Sequence, residues 1–176
     1  MKRRLLAAAA VVAMTFGLML PAHAEDWKVT GEFGWHTVGK AYEMEKGHTY
    51  FVGETTGTFF NDKGKGGLFD RAGVKCPVFV DTDTNNKRQK VGGYCIIADT
   101  DADQAYLTFQ AEGDIAAPGT FEYTGGTGKY KGITGKNTYV AVGPVNWPDG
   151  TSSGYSIWNR SEATGSSTAP TTPGNK

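Results

Sequence analysis

Apolar and polar residues alternate with a period of two along much of this chain. In Trp27–Val38 the apolar residues fall mostly on odd positions and the polar residues on even ones, and Gln104–Ala111 repeats the pattern. Such alternation is typical of a β-strand that buries one face. Six further strands are predicted from β-branched and aromatic content between turn residues: His48–Phe60, Leu68–Asp81, Gly93–Ala98, Gly119–Thr124, Asn137–Gly143 and Thr151–Arg160.

Two segments of the chain depart from this simple strand pattern. The charged stretch Ala41–Gly47 is predicted to be a connection. Pro77 has no amide hydrogen, so the strand that contains it is predicted to be an edge strand, bulged or broken there. No stretch after residue 24 shows a helical period of 3.6, and 25 of the 176 residues are glycine. These features predict an all-β chain, either an antiparallel barrel or a sandwich.

The N-terminal segment has the organisation of a secretory signal peptide. Basic residues precede the run Leu5–Leu20, and Ala22 and Ala24 are small residues at the positions that a signal peptidase reads. We therefore expect residues 1–24 to be removed and the protein to be periplasmic or secreted. A retained anchor is the alternative, although the run is shorter than the roughly 18 to 20 residues needed to span a membrane.

The rest of the chain is predicted to be one domain with a tail. Residues 25–160 are long enough to bury a core, whereas residues 161–176 are rich in Ser, Thr, Pro and Gly and are predicted to be disordered. The three basic residues of the signal peptide leave 15 basic against 18 acidic residues, a formal charge of −3. This balance argues against a nucleic-acid partner, and no membrane contact is expected after cleavage.

Cys76 and Cys95 are the two cysteines, and their positions are symmetric about Asn85 and Asn86. If the two asparagines form a two-residue hairpin loop, the cysteines face each other across two strands. An exported compartment permits oxidation. We predict a disulfide; the alternative is a free thiol nucleophile, which the even count and the symmetry oppose.

The stretch Gly125-Gly126-Thr127-Gly128-Lys129-Tyr130-Lys131-Gly132-Ile133-Thr134-Gly135 resembles the glycine motif of the allene oxide cyclase and dirigent superfamily of calycin-like barrels. In those families a Gly-Gly-Thr-Gly turn, an aromatic residue and a later glycine precede a returning strand. The resemblance implies a single eight-stranded antiparallel β-barrel, often trimeric, with a cavity for a small apolar or aromatic molecule. It carries over no catalytic site. We predict that the stretch is a structural turn, because it lacks the sequence of a phosphate-binding loop.

Polar and aromatic side chains on the strand faces are the candidate site residues. Glu54, His36 and Tyr50 are the candidates for acid or base chemistry. The alternative interpretation is that these polar faces are solvated surface. Which interpretation applies depends on which strand faces point into the barrel. The residues predicted to line a ligand cavity are Phe33, Trp35, His48, Tyr50, Glu54, Tyr106 and Tyr139.

The sequence gives only weak evidence for a metal or cofactor site. Asp99, Asp101 and Asp103 have the alternating acidic spacing of a calcium loop, but Gln104 stands where a glycine is expected. An acidic hairpin between two strands explains the same residues, and we weigh it above calcium. No cofactor is expected.

Three functions remain open from the sequence. The leading one is an exported barrel that binds a small apolar or aromatic molecule. The second is an isomerase or cyclase acting on a small reactive substrate inside the barrel, although no catalytic motif is present. The third is an oligomeric structural or interaction protein of the cell envelope.

Overall fold

A computed structural model describes residues 29–159 of the chain. The predicted signal peptide, Trp27, Arg160 and the predicted tail lie outside the described residues. Eight strands and one 3-10 helix make up the described part: β1 Gly31–Glu45, β2 His48–Asn61, β3 Ala72–Asp83, β4 Arg88–Ala98, β5 Gln104–Asp114, β6 Gly119–Gly126, a 3-10 helix Gly128–Tyr130, β7 Lys136–Asn146 and β8 Ser152–Trp158.

The strands form one closed barrel in which each strand is antiparallel to its neighbours in sequence. β1 closes the barrel by pairing with both β2 and β8, so that Phe33 lies opposite Phe59 on one side and Ser156 on the other. This confirms the all-β, eight-stranded antiparallel barrel. Between Gly31 and Thr37, β1 has a partner strand on both sides, so closure removes the sheet edges over that length.

Pairing in register sets which side chains point inward. Because directly opposite residues share a face, the buried pair Phe33 and Phe59 assigns odd positions of β1 and β2 to the interior. The even positions of these strands, which include His36 and Glu54, therefore point to the outside. The same reasoning around the barrel gives a buried core of aromatic and aliphatic side chains in which Phe33, Phe59 and Phe121 surround Trp158.

One end of the barrel is covered, and we call it the plugged end. It is the end at which β1 begins and β8 ends. Phe69, from the loop between β2 and β3, and Tyr130 are both almost fully buried, with ring centroids 4.8 Å apart. Phe69 also contacts the inward Tyr123, at 6.0 Å. Two loops thus insert aromatic rings that complete the core.

The glycine-rich stretch forms the loop that carries Tyr130. Gly128 has a φ of +48°, in the left-handed region that favours glycine. A Cβ at Gly128 would also collide with the Asp103 carboxylate. Thr127 accepts a backbone hydrogen bond of 2.9 Å from Tyr130, which closes the short helix. The stretch therefore covers the plugged end and does more than connect two strands.

Cys76 and Cys95 form a disulfide inside the barrel, as the symmetry of their positions predicted. β3 and β4 pair in the register that places these two residues opposite each other. The turn between the strands has four residues, Thr84–Lys87, where a two-residue loop was expected. It is centred on the same two asparagines, so the register is unchanged.

Three local expectations are corrected. β1 continues through Ala41 to Glu45, because β2 pairs with it along its whole length, so this stretch is not a connection. β4 begins at Arg88, five residues earlier than predicted. β3 has a neighbour on each side and is not an edge strand. Its pairing with β4 is interrupted between Lys75 and Val78, where Pro77 lacks an amide hydrogen.

Candidate functional site

The seven predicted ligand-lining residues divide between the two faces of the barrel wall. The strand registers place one group inside and the other outside. The inward group is Phe33, Trp35 and Tyr139, and the outward group is His48, Tyr50, Glu54 and Tyr106. The structure therefore does not bring all seven together around one cavity.

The inward group belongs to the packed interior. Phe33 meets the edge of Trp158 at 6.3 Å. The indole nitrogen of Trp35 donates a hydrogen bond of 3.2 Å to Ser156. Tyr139 packs edge-on against Phe109 at 6.1 Å, and burial raises the pKa of its hydroxyl. These contacts are those of core side chains.

A groove with a volume of about 730 Å³ lies on the outside of β2 to β6. We call it the outer groove. Its wall includes the outward side chains of Tyr50 and Val52, whereas Phe51, which points inward between them, does not line it. The volume falls within the range of small-molecule sites in proteins.

The floor of the outer groove is built from glycine and an aromatic ring. Gly92 lies opposite Phe79, and a Cβ at Gly92 would approach the Phe79 ring to 2.8 Å. The ring therefore lies across the glycine. Tyr50 stacks against Phe79, with centroids 6.1 Å apart and planes inclined by 20°. The two ring planes are therefore nearly parallel, and both rings line the groove.

The rim of the outer groove mixes an exposed aromatic side chain with polar groups. Tyr94 is 66 % exposed, although it is a large aromatic residue. Lys90 and Glu112 form an ion pair of 3.4 Å on neighbouring strands. Gln110 and Thr120 supply amide and hydroxyl groups on the β5 and β6 side. A ligand in this groove would meet aromatic side chains below and hydrogen-bonding groups at the side.

Two of the three acid–base candidates, Glu54 and Tyr50, share the outer face of β2. The Glu54 carboxylate lies 3.3 Å from the Lys75 ammonium group. Tyr50 is the only one of the three that lines the outer groove. His36 lies in a separate, shallower groove of about 460 Å³, where its Nδ1 is 2.9 Å from the Ser153 hydroxyl. The structure thus gives the three candidates different surroundings.

His48 lies at the hairpin end, the end opposite the plug. Its Nε2 is 2.7 Å from a carboxylate oxygen of Asp81. This hydrogen bond, assisted by the charges of Asp83 and Glu45, raises the pKa of His48 above 6.5. The backbone oxygen of Gly47, in the adjoining turn, accepts a hydrogen bond of 2.8 Å from the Thr84 amide. His48 therefore helps to join the β1–β2 and β3–β4 hairpins.

The three calcium candidates meet the glycine-rich loop. The Lys129 ammonium group contacts the Asp99 carboxylate and lies 3.0 Å from that of Asp101. The Asp103 carboxylate accepts a hydrogen bond of 3.2 Å from the Lys129 amide. Partial burial opposes ionisation of Asp99, but hydrogen bonds from Lys129 and Tyr130 outweigh it and lower the pKa of Asp99. The Lys129 ammonium group thus lies between the Asp99 and Asp101 carboxylates.

Two other features are absent from residues 29–159. No cluster of three or more histidine, cysteine or acidic side chains is placed to hold a metal ion in that range. In the same part of the chain, no helix is long and apolar enough to cross a membrane.

Phe79, Gly92 and Tyr94 were missed by the sequence reasoning. A usable signal was present, because cysteine is among the most frequently buried residues, which predicts that Cys95 faces the interior, and adjacent residues alternate. Tyr94 must then point outward, as must Phe79, which is an odd number of residues from Cys76. Large aromatic residues at outward positions are the pattern that marks this groove.

The fold and the outer groove define a class: a closed eight-stranded antiparallel barrel with an aromatic groove on its exterior. Comparison with protein-family models, with curated proteins and with solved structures found no match. Membership of the allene oxide cyclase and dirigent superfamily therefore stays a prediction from the glycine motif.

Proposed function

We propose that this protein is an exported binding protein that holds a small aromatic molecule in the outer groove. The observation that carries the proposal is the pair of nearly parallel rings of Tyr50 and Phe79, the latter lying across Gly92, next to the exposed ring of Tyr94. Aromatic rings prefer offset-stacked or edge-on contacts with other rings, and such contacts add stability beyond the area that they bury. A planar ligand gains both on this surface.

The proposal moves the ligand from the interior to the outside of the barrel. The interior around Trp158 is filled by side chains in contact with one another. The outer groove has both the volume and the combination of apolar floor and polar rim that small-molecule sites use.

An isomerase or cyclase is less well supported. Its acid and base groups would have to converge on one bound substrate. Glu54 is ion-paired with Lys75, and His36 lies in the other groove. Tyr50 is then the one candidate that could touch a ligand in the outer groove.

The test is a titration with a named aromatic probe, 8-anilinonaphthalene-1-sulfonate, followed by fluorescence and by the backbone amide signals of Gly92 and Gly93. We expect saturable binding with the largest signal shifts at these two glycines. The Tyr94→Ala variant should weaken binding by about fivefold, because it removes roughly 1 kcal/mol of ring contact. Tyr155→Ala, which alters an exposed tyrosine on the outer face of β8, is the matched control and should bind as the unaltered protein does.

Two results would count against the proposal. Shifts concentrated at inward residues, or around His36 and Trp147, would place the probe elsewhere. Equal binding by Tyr94→Ala and by the unaltered protein would show that the rim ring makes no contact. Gly92→Ala gives a second check, because the added methyl group must displace the Phe79 ring from the floor.

A further inference from the structure

The turn between β7 and β8 carries a tryptophan that is exposed and yet held in place. Trp147 is 50 % exposed. Its amide donates a hydrogen bond of 2.8 Å to the Thr151 carbonyl oxygen, and its own carbonyl oxygen accepts one of 3.0 Å from the Gly150 amide. Its indole nitrogen donates a hydrogen bond of 3.1 Å to the Ser153 hydroxyl on β8. Both the backbone and the ring of Trp147 are therefore fixed.

Core packing does not account for this arrangement. The stabilisation from an apolar side chain grows with the area that it removes from water, and half of Trp147 stays in contact with water. A fixed, exposed ring is instead suited to binding, because the entropy cost of ordering the side chain falls on folding and not on association with a ligand.

Trp147 lines the shallower groove that contains His36, which we call the second groove. The groove has a volume of about 460 Å³, and its other lining residues are His36, Pro148, Asp149, Thr151 and Ser153. Asp149 and Thr151 come from the turn, whereas His36 and Ser153 come from β1 and β8. One aromatic ring is thus accompanied by polar side chains from three segments. The second groove shares no lining residue with the outer groove.

Asp149 and His36 have hydrogen-bonding capacity left for a ligand. Oδ1 of Asp149 accepts bonds of 3.0 Å and 2.7 Å from the amide and the hydroxyl of Thr151. These bonds lower the pKa of the Asp149 carboxyl group, and an ionised carboxylate can accept further hydrogen bonds. His36 uses Nδ1 for its contact of 2.9 Å with Ser153. Its second ring nitrogen, Nε2, can bond to a ligand.

We propose that the second groove binds a sugar ring of the β-glucose type. The hydroxyl groups of such a ring are all equatorial, so its faces carry C–H groups and its edge carries donors and acceptors. One face can lie on the Trp147 indole, whose negative face attracts C–H hydrogens, while edge hydroxyls bond to Asp149 and His36. A purely aromatic ligand would cover the Asp149 carboxylate without supplying a donor, which is unfavourable.

The test is a titration with cellotetraose, a soluble oligosaccharide of β-linked glucose, using purified protein expressed from the full chain. Binding is followed by NMR at the indole N–H of Trp147 and the amides of Gly150 and Thr151. We expect saturable shifts and a dissociation constant on the order of 1 mM, because one ring contact and a few hydrogen bonds hold the ligand. Sorbitol has similar hydroxyls on an open chain without a ring face, and should give no saturable shift.

Two variants test the ring and the carboxylate separately, with the two amide signals as the readout. Trp147→Ala should raise the dissociation constant at least about fivefold, as truncation of an anchoring tryptophan does. Asp149→Asn keeps the shape of the side chain and should raise it about fivefold, because hydrogen bonds to charged groups are the stronger ones. Tyr94→Ala removes an exposed ring of the outer groove and is the matched control, with unchanged binding. Circular dichroism establishes that each variant is folded.

Several results would overturn the proposal. They are no shift of the three signals at about 10 mM cellotetraose, equal binding of sorbitol, and unchanged binding by Trp147→Ala or Asp149→Asn. Weaker binding by Tyr94→Ala alone would place the sugar in the outer groove. A Trp147 signal that shifts with 8-anilinonaphthalene-1-sulfonate but not with cellotetraose would assign the second groove to aromatic ligands.

Discussion

The hydroxyl group of Tyr130 donates a hydrogen bond of 2.9 Å to the carboxylate of Asp99, across the end of the barrel. Tyr130 comes from the glycine-rich loop, and Asp99 follows β4 directly. The same carboxylate contacts the Lys129 ammonium group. One acidic side chain therefore holds the loop whose aromatic ring plugs the barrel.

This relationship separates two contributions of Tyr130 to stability. Tyr130→Phe keeps the ring but removes the hydrogen bond to a charged group, and should lower the free energy of unfolding by roughly 1.5 to 3 kcal/mol. Tyr130→Ala also empties the plug and should cost about 3 to 5 kcal/mol. Urea unfolding measures both. Tyr155→Phe and Tyr155→Ala are controls at an exposed site, and a Tyr130→Ala protein no less stable than Tyr155→Ala would contradict the plug.

The backbone of the glycine-rich loop gives a second prediction. Gly128→Ala and Gly132→Ala both place a side chain at positive φ, +48° and +81° respectively, and each should lose about 1 to 2 kcal/mol of stability. Only at Gly128 does the new methyl group also collide with the Asp103 carboxylate; at Gly132 the space is open. Gly128→Ala should therefore be the less stable of the two in urea. Equal losses would show that Asp103 moves aside freely.

The disulfide gives a third prediction. Cys76 and Cys95 are 19 residues apart in sequence, and a cross-link that closes a loop of this length stabilises a protein by about 3 kcal/mol, mainly by restricting the unfolded chain. The double variant Cys76→Ala, Cys95→Ala should lose about this amount. The unaltered protein unfolded in urea with a reductant should match the double variant within the error of the measurement. Alkylation of both cysteines in denatured, unreduced protein would refute the bond.

The hairpin end gives a pH prediction. The hydrogen bond to Asp81 raises the pKa of His48 above 6.5. Protonated His48 therefore stabilises the fold fully below pH 6.5, and this stabilisation is lost as the pH rises through the raised pKa. Urea unfolding across pH 5.5 to 8.5 should show a stability advantage over His48→Gln that shrinks with increasing pH. Asp81→Asn should lower the pKa of His48 in an NMR titration, and no change would contradict the assigned cause.

The alternation of inward and outward residues along the strands was the most informative feature of the sequence. The symmetry of Cys76 and Cys95 about two asparagines predicted both the disulfide and the β3–β4 register, because a hairpin fixes which residues face each other. The charges between Lys40 and Glu45 predict a connection, but β1 continues through them to Glu45. An exposed hairpin tolerates charge, because neither face of it needs to be buried.

The site was harder to predict than the fold. A period of two identifies two faces but not which one points inward when both carry aromatic residues, as on β2 with Tyr50 outside and Phe59 inside. The local sequence pattern also does not predict the plug, because Tyr130 is buried by contact with Phe69, which is far away in sequence. Both the inward face of β2 and the burial of Tyr130 are set by contacts between segments that are distant in sequence.

The side chain of Asn159, just after β8, donates a hydrogen bond of 2.9 Å to the backbone oxygen of Val29. The first and last described residues therefore lie next to each other at the plugged end. A short linker from Asn159 to Val29, with new termini opened in the turn between β7 and β8, would give a circular permutant that keeps all eight strands and their pairings. For the same reason, a tether attached at either described terminus would leave the hairpin end on the far side of the barrel from the point of attachment.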